Sequence, residues 1–325
     1  MPKVTAFSCG TRDGNCEIFV KEALMALERM KIQTELIRLN DCDLRPCKAC
    51  PRGPCKFKGP AHCIHRDDGG WLAEKFYESD GYIMAAPVWS LAPPAIVSVF
   101  RDRIFGYKAD VTGWERNGTP EWAKNYKKHR PGALISVGGA LTRNWTSLGL
   151  ATLYTTTMSA QTDVVDHMGV YGVSRHGDAV LREDYILQAR YLGENLGHAV
   201  LNPQIDWTGR FLGDADGEAC PSCRSSLLIA RPGTDRVECA ICGTTGRVSM
   251  EDGKLSYTWL QDNQNRLTMI GRFNHIREIE RHGLMRPENA DQLVKERIQK
   301  YKSWNECVMT PPSKGNKTEN GHAAE

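Results

Sequence analysis

Nowhere in its 325 residues does the chain carry an unbroken run of about 18 apolar side chains, so it offers no helix able to cross a bilayer. Residues 1–7 also lack the apolar centre of a secretory signal, and the expectation is a soluble, cytoplasmic protein with no membrane partner. A dominant charge is missing too. Lys and Arg number 42 against 39 Asp and Glu, and a net charge of +3 is too small to mark a nucleic-acid-binding or membrane-surface protein. No internal repeat is present, which removes solenoids and propellers. Hydrophobic and charged fractions of 41% and 25% are ordinary globular values and exclude collagen, coiled-coil and wholly disordered chains. What the chain does have is cysteine, 12 in all. Nine fall into two tight groups, leaving Cys9, Cys16 and Cys307 apart, and clustering of this kind in a reducing compartment points to metal ligands or redox groups rather than disulfides.

Residues 4–7 read as a strand entering a glycine-containing loop, after which Phe19, Ala23, Ala26, Leu27 and Met30 recur on one helical face. Strand patterns follow at 33–39, 81–86, 133–137 and 164–173, and helical ones at 71–77, 93–105 and 185–200. Asp67 and Asp68 stand where a carboxylate can take the free amides of a helix start. Residues 114–130, polar with scattered aromatics and no period, read as an insertion outside the core. Five strands alternating with helices specify an α/β domain with a parallel sheet over residues 1–202. Beyond it the sequence predicts a linker at 203–217, a small cysteine module at 218–247, a helical extension at 248–310 with Val294, Ile298 and Tyr301 aligned, and a disordered tail at 311–325.

The loop after the first strand contains Ser8, Thr11, Arg12, Gly14 and Asn15 ahead of a helix N-terminus, where outward-pointing amides, neutral donors and one guanidinium suit a phosphate. It has neither the Gly-Lys-Ser/Thr ending of a Walker loop nor the Gly-x-Gly-x-x-Gly dinucleotide pattern. Pro87-Val88-Trp89-Ser90 after the third strand and Gly138-Gly139 after the fourth would meet it at the carboxyl edge of the sheet. In a doubly wound sheet of order 2-1-3-4-5 that edge is where FMN binds. Together with the Asp102-Arg103 pair, these motifs resemble the NADPH-dependent FMN reductase family, particularly its iron–sulfur flavoprotein branch, over roughly residues 1–200. The resemblance implies a flavodoxin-like fold, bound FMN, NAD(P)H or another low-potential donor, and a homodimer or tetramer. Position by position it implies that Ser8, Arg12, Gly14 and Asn15 hold the FMN phosphate, that Pro87, Val88, Trp89 and Ser90 line the isoalloxazine, and that Gly138 and Gly139 approach its other side. Asp102-Arg103 is read as a helix-end salt bridge.

The first cysteine group, Cys47-x2-Cys50-x4-Cys55-x7-Cys63 with Cys42 in reserve, puts four thiols into a flexible loop that can wrap a [4Fe-4S] cluster. Between residues 40 and 66, six basic side chains stand against two acidic ones, a local excess that favours anionic thiolates. The spacing is wider than the compact iron–sulfur flavoprotein pattern, so Cys42 could replace Cys55 or Cys63, and zinc or an unliganded loop are the alternatives. The second group, Cys220-x2-Cys223 and Cys239-x2-Cys242, has the spacing of a zinc ribbon, with 227–230 and 236–238 as its hairpin. Rubredoxin-like iron is the alternative there. Three arginines against two acids in the ribbon make a weak nucleic-acid footprint, and a lid or oligomer contact fits better.

The function these features predict is an FMN-dependent oxidoreductase that takes electrons from NAD(P)H and passes them to a flavin, quinone or other small acceptor, with no acid–base pair demanded of the protein. The alternatives are an electron carrier between a ferredoxin and a partner protein, and a ribbon-bearing redox sensor. Trp114, Trp122 and Tyr126 could cover the flavin or simply pack; His62 and His65 flank Cys63 as loop residues; His167 could reach the flavin edge.

Overall fold

A computed structural model describes residues 1–105, 111–127, 129–156, 162–214, 219–260, 264–303 and 306–309. The tail predicted from residue 311, the linker end at 215–217 and the module's first residue, 218, lie outside the described residues. The chain divides into two compact units, Met1–His275 and Ile276–Glu325.

In the first unit, β1 (Lys3–Ser8), α1 (Asn15–Arg29), β2 (Gln33–Arg38), the single turn α2 (Cys55–Lys58), α3 (Gly69–Glu78), β3 (Gly81–Pro87), α4 (Ala95–Ile104), α5 (Val111–Asn117), β4 (Arg130–Val137), α6 (Gly149–Tyr154), β5 (Thr162–Val170) and α7 (Glu183–Leu201) follow in order. The five strands form one parallel sheet in the order β2-β1-β3-β4-β5, the flavodoxin-like arrangement. Parallel strands covered on both faces must be apolar on both. Tyr82, Met84 and Ala86 of β3 face a core shared with α3 and α4, while Ile83 and Ala85 face the core formed with α1 and α7. The register aligns the strand ends: Ser8 pairs with Ala85, Pro87 with Val137, and Val137 with Val170. The loops that begin at residues 9, 88, 138 and 171 therefore leave the sheet side by side. Ladder bonds tie them, from Cys9 N to Ala85 O at 2.8 Å, Val88 N to Val137 O at 2.8 Å, and Gly138 N to Val170 O at 2.9 Å.

The segment read as an insertion is part of the core. Val111 and Trp114 are buried, and Trp122 and Tyr126 pack on Tyr77 with ring centroids 5.5 and 5.4 Å apart. Tyr77 lies just before β3, at the amino edge of the sheet, so these aromatics stand away from the loop edge they might have covered. Three anchors at irregular spacing carry no helical or strand period, which is why the sequence pattern hides them.

The cysteine module is also larger than its sequence suggests. β6 (Leu228–Ala230), β7 (Arg236–Cys239), β8 (Thr245–Glu251) and β9 (Lys254–Trp259) make a four-stranded antiparallel sheet. Where the sequence led us to expect the start of a helical extension, β8 and β9 are joined at Asp252-Gly253, with φ of +49° and +74°, the conformation a two-residue hairpin requires. Two helices, α8 (Met269–Leu284) and α9 (Ala290–Ser303), close the described elements, and α9 buries none of its side chains. No helix among the described residues is long and apolar enough to cross a membrane.

Candidate functional site

The loop after β1 delivers a helix start with no side chain over it. Gly14, the N-cap residue of α1, is extended and makes no capping bond, so the first amides of α1 stay available to an anion. The loop is tight enough to require its glycines. A Cβ on Gly14 would stand 2.3 Å from Thr11 Oγ1, and one on Gly10 would stand 2.8 Å from Cys16 Cβ. Ser8 is buried and its Oγ accepts from Gly10 N at 3.4 Å, while the exposed Arg12 pairs with Asp41 at 3.0 Å. Asn15 does more than the sequence suggests: its Nδ2 donates to Arg175 O at 2.8 Å and its Oδ1 accepts from Ala179 N at 3.0 Å. It thereby locks the β5–α7 loop against the β1–α1 loop and brings His176 Nδ1 to 3.5 Å from Thr11 Oγ1. Arg175 and His176 were not picked out from the sequence, although a Ser-Arg-His-Gly run after the last strand is a legible loop signal.

Glu17 sits in the first turn of α1, where its charge would compete with an anion, but Arg38 grips both of its oxygens at 2.7 Å and Lys21 lies 2.6 Å away. The Arg38 bonds, working against burial, hold its carboxyl down at about 2. Burial pushes the Cys16 thiol up to about 12 and Cys9 higher still, so these two isolated cysteines are packed thiols.

The loop after β3 is strained. Ser90 and Leu91 both have positive φ, +48° and +75°, and Trp89 pairs with Ala92 through bonds of 2.8 and 3.2 Å. Consecutive left-handed residues other than glycine persist only where the surroundings impose them, and such strain clusters at functional sites. The device leaves Trp89 57% exposed beside the sheet edge. After β4, Gly138 and Gly139 pass so close to Thr146 and Ser174 that a Cβ would stand 2.3 and 3.0 Å from those side chains. Gly149, at the start of α6, packs on both Val88 and Ser136, where a Cβ would meet atoms at 2.8 and 2.2 Å. Uncovered amides, hydroxyls, an exposed guanidinium and glycine-flat walls form a donor set and a cradle that fit a flavin mononucleotide.

Beside this edge lies a cavity of about 400 Å³, walled by Ser136, Arg143, Tyr154, His167 and the residues that follow Cys223. Tyr154 is buried; its hydroxyl donates to Cys223 O at 2.8 Å and lies 2.9 Å from His167 Nδ1. A phenol has one proton, so Nδ1–H of His167 is the donor in the second contact, and this sets the tautomer. His167 thus sits in the cavity wall.

In the first cysteine group, Cys55 is buried and Cys47, Cys50 and Cys63 are half-buried. Cys42 turns its thiol toward Arg38 O, and burial pushes its pKa up to about 11. The sequence paired Asp102 with Arg103; the structure separates them. Asp102 takes Arg101 at 2.8 Å, while Arg103, 1% exposed, crosses to grip Asp67 with both amino groups at 2.6 and 2.7 Å and donates to Arg45 O at 2.6 Å. It clamps the two ends of the cysteine loop together. Asp67 also takes Gly69 N at 3.1 Å, the helix-start role expected of it, whereas Asp68 accepts from Asp43 N at 2.7 Å.

Among the described residues, one group of three or more metal-ligating side chains converges: Cys220, Cys223, Cys239 and Cys242, all buried, with ligand atoms within 4.8 Å of one another. Cys220 and Cys242 sulfurs are 3.4 Å apart, and those of Cys223 and Cys239 are 3.5 Å apart. Metal–sulfur bonds of about 2.3 Å in a tetrahedron place sulfurs roughly 3.8 Å apart, so this quartet can hold a metal ion. The Cys47–Cys63 loop is not gathered in this way.

Residues 2–162 match the family model described as NADPH-dependent FMN reductase. A flavone synthase of Aspergillus candidus is 26% identical over 322 residues, spanning 95% of this chain and 98% of its own length. An iron-sulfur flavoprotein of Methanosarcina thermophila is 31% identical over 140 residues, 42% of this chain and 64% of the relative. The solved structure of a flavone reductase superposes with a TM-score of 0.73 at 21% identity, covering 95% of this chain and 99% of that one, a likeness of fold.

Proposed function

Residues 2–162 belong to the NADPH-dependent FMN reductase family, which makes the chain a flavin-dependent oxidoreductase, and from that premise we propose that its acceptor is a planar aromatic ketone of the flavone type. The observation that carries this reading is the reach of the match to the flavone synthase, which takes in the cysteine module as well as the parallel sheet. The iron-sulfur flavoprotein matches less than half the chain.

FMN, when bound, supplies hydride exchange between a nicotinamide and the acceptor. The rest falls to the chain. Ser8, Thr11, Arg12, Gly14 and the amides at the start of α1 hold the phosphate, with Asn15 fixing the loop that closes over them. Pro87, Val88, Trp89 and Ser90 form one wall for the ring system, and Gly138 and Gly139 allow close approach on the other side. The neighbouring cavity takes the acceptor, and at about 400 Å³ it has room for a three-ring molecule. The bond from Nδ1–H to Tyr154 orients the His167 ring, and Nε2 is the nitrogen that a proton exchange at the substrate would use. Cys220, Cys223, Cys239 and Cys242 hold zinc as a closed structural site.

The test is anaerobic. The full chain is purified with its flavin, reduced with NADPH or NADH in turn, and mixed with a hydroxylated flavone. Flavone-dependent reoxidation of the flavin with formation of the dihydro product is expected. A chain that carries no flavin, or whose reduced flavin is indifferent to the flavone while menadione reoxidises it, would remove the acceptor assignment. A second reading, favoured by the iron-sulfur flavoprotein relative and by the Arg103 clamp across the loop, places a [4Fe-4S] cluster on Cys47, Cys50, Cys55 and Cys63. Iron and sulfide analysis of anaerobic protein decides it, with about four irons per chain expected and none overturning it.

A further inference from the structure

The two cysteine knuckles are built alike but end differently. In each, the amide four residues after the first cysteine donates back to that cysteine's carbonyl, Arg224 N to Cys220 O and Gly243 N to Cys239 O, both at 2.9 Å. In each, that residue is left-handed, with φ of +56° at Arg224 and +81° at Gly243. Glycine adopts this conformation freely and arginine does not. A side chain is therefore present at 224 against the preference of the backbone, and its surroundings indicate its use. The guanidinium lies over the Phe211 ring at 5.8 Å, and Arg224 lines the same cavity as Tyr154 and His167. Its Nε is buried without a hydrogen-bond partner, and no carboxylate pairs with Arg224 among the described residues. A buried donor left unmade is costly unless something else fills it.

We propose that Arg224 is the anchor of the acceptor site, presented by the metal knuckle to a phenolate or carbonyl oxygen of a planar aromatic molecule in the cavity. The inference rests on the flavone-type acceptor and adds to it a residue that recognises it and a task for the cysteine module. Guanidinium donors are directional and bind oxygen acceptors in their own plane. Because Cys223 also fixes Tyr154 through its carbonyl, the same knuckle positions two walls of the pocket.

The chemistry suggests an unusually clean variant. Arg224→Gly removes the side chain while placing at 224 the residue its backbone prefers, so the fold and the metal should tolerate it. Binding of apigenin, a hydroxylated flavone, to the full flavin-loaded chain is measured by calorimetry for wild type, Arg224→Gly and Arg224→Lys. The expected result is unchanged flavin and metal content in all three, a Kd at least tenfold weaker in Arg224→Gly, and an intermediate Kd in Arg224→Lys. Equal affinity in wild type and Arg224→Gly overturns the anchor while leaving the acceptor class standing. Failure of the wild type to bind apigenin overturns the acceptor class, and the anchor with it.

Discussion

Single side chains carry unusual electrostatic weight in this molecule. Arg103 and Asp67 are 1% and 0% exposed, and their bidentate ion pair is the clasp of the cysteine loop. Removing one partner of a buried pair leaves the other charge uncompensated, so Arg103→Leu should lower stability by about 3–5 kcal/mol, read by urea unfolding. A surface pair such as Arg12 with Asp41 should change stability by less than about 1 kcal/mol when broken, yet Arg12→Ala should weaken flavin retention. Asp166 works in the opposite sense. Burial raises its pKa from 3.8 to about 6, against the help of an Asn195 bond, and nearby Asp214 adds to the rise. As pH climbs from 3.8 toward 6 the unfolded chain loses this proton before the folded one does, so stability falls across that window and stays reduced above it. Asp166→Asn should therefore be more stable than wild type at pH 8 by about 1–3 kcal/mol, with the advantage gone near pH 4. Thermal melts at both values check it, and an equal difference at the two would show that the carboxylate's charge is not responsible.

At the level of elements, periodic features were legible and close approaches were not. The five strands and the helices α1, α3, α4 and α7 can be read from apolar periodicity because each must bury a face, whereas the strand order followed from the family resemblance. The loops at the carboxyl edge were legible for a related reason: a parallel sheet fixes where its strand ends lie. The β8–β9 hairpin was missed although Asp252-Gly253 announces it, since the polar strands around it bury little. The partners of Asn15, Arg103 and Tyr154 stand 160, 36 and 69 residues away, separations that no local pattern encodes. The packing of α1 on α7 is of the same kind. A Cβ on Gly193 of α7 would stand 2.3 Å from the Ala23 carbonyl oxygen of α1. Helix propensity alone would favour alanine there by about 1 kcal/mol. The obstacle is backbone, which cannot swing aside, so overpacking should win and Gly193→Ala should destabilise by about 1–3 kcal/mol in chemical denaturation.

For the whole molecule the question is whether the metal module and the parallel sheet stand or fall together. The antiparallel sheet has little core of its own: Ile229, Met250 and Leu255 are 53%, 68% and 51% exposed, and its buried side chains are chiefly the four cysteines with Val237 and Ile241. Four thiolates around an ion would supply what apolar burial does not. A structural zinc contributes about 10–16 kcal/mol in small domains, as much as the entire stability of an ordinary domain, so a fully cooperative unit stripped of its metal would lose all of its structure. The parallel sheet, however, has an apolar layer with α1 and α7 that contains none of these four cysteines, while its other layer, with α3 and α4, runs on into them. Chelation under reducing conditions should therefore abolish amide-exchange protection across β6 to β9 while β1 to β5 keep theirs and the flavin stays bound. Tyr154, which bonds to Cys223 from the end of α6, is the link through which the loss would spread, so protection in α6 should decline next. Tyr154→Phe should remove that spread without touching the metal. Simultaneous loss of protection in both sheets would instead mean that the quartet of thiols holds the entire unit as one cooperative block.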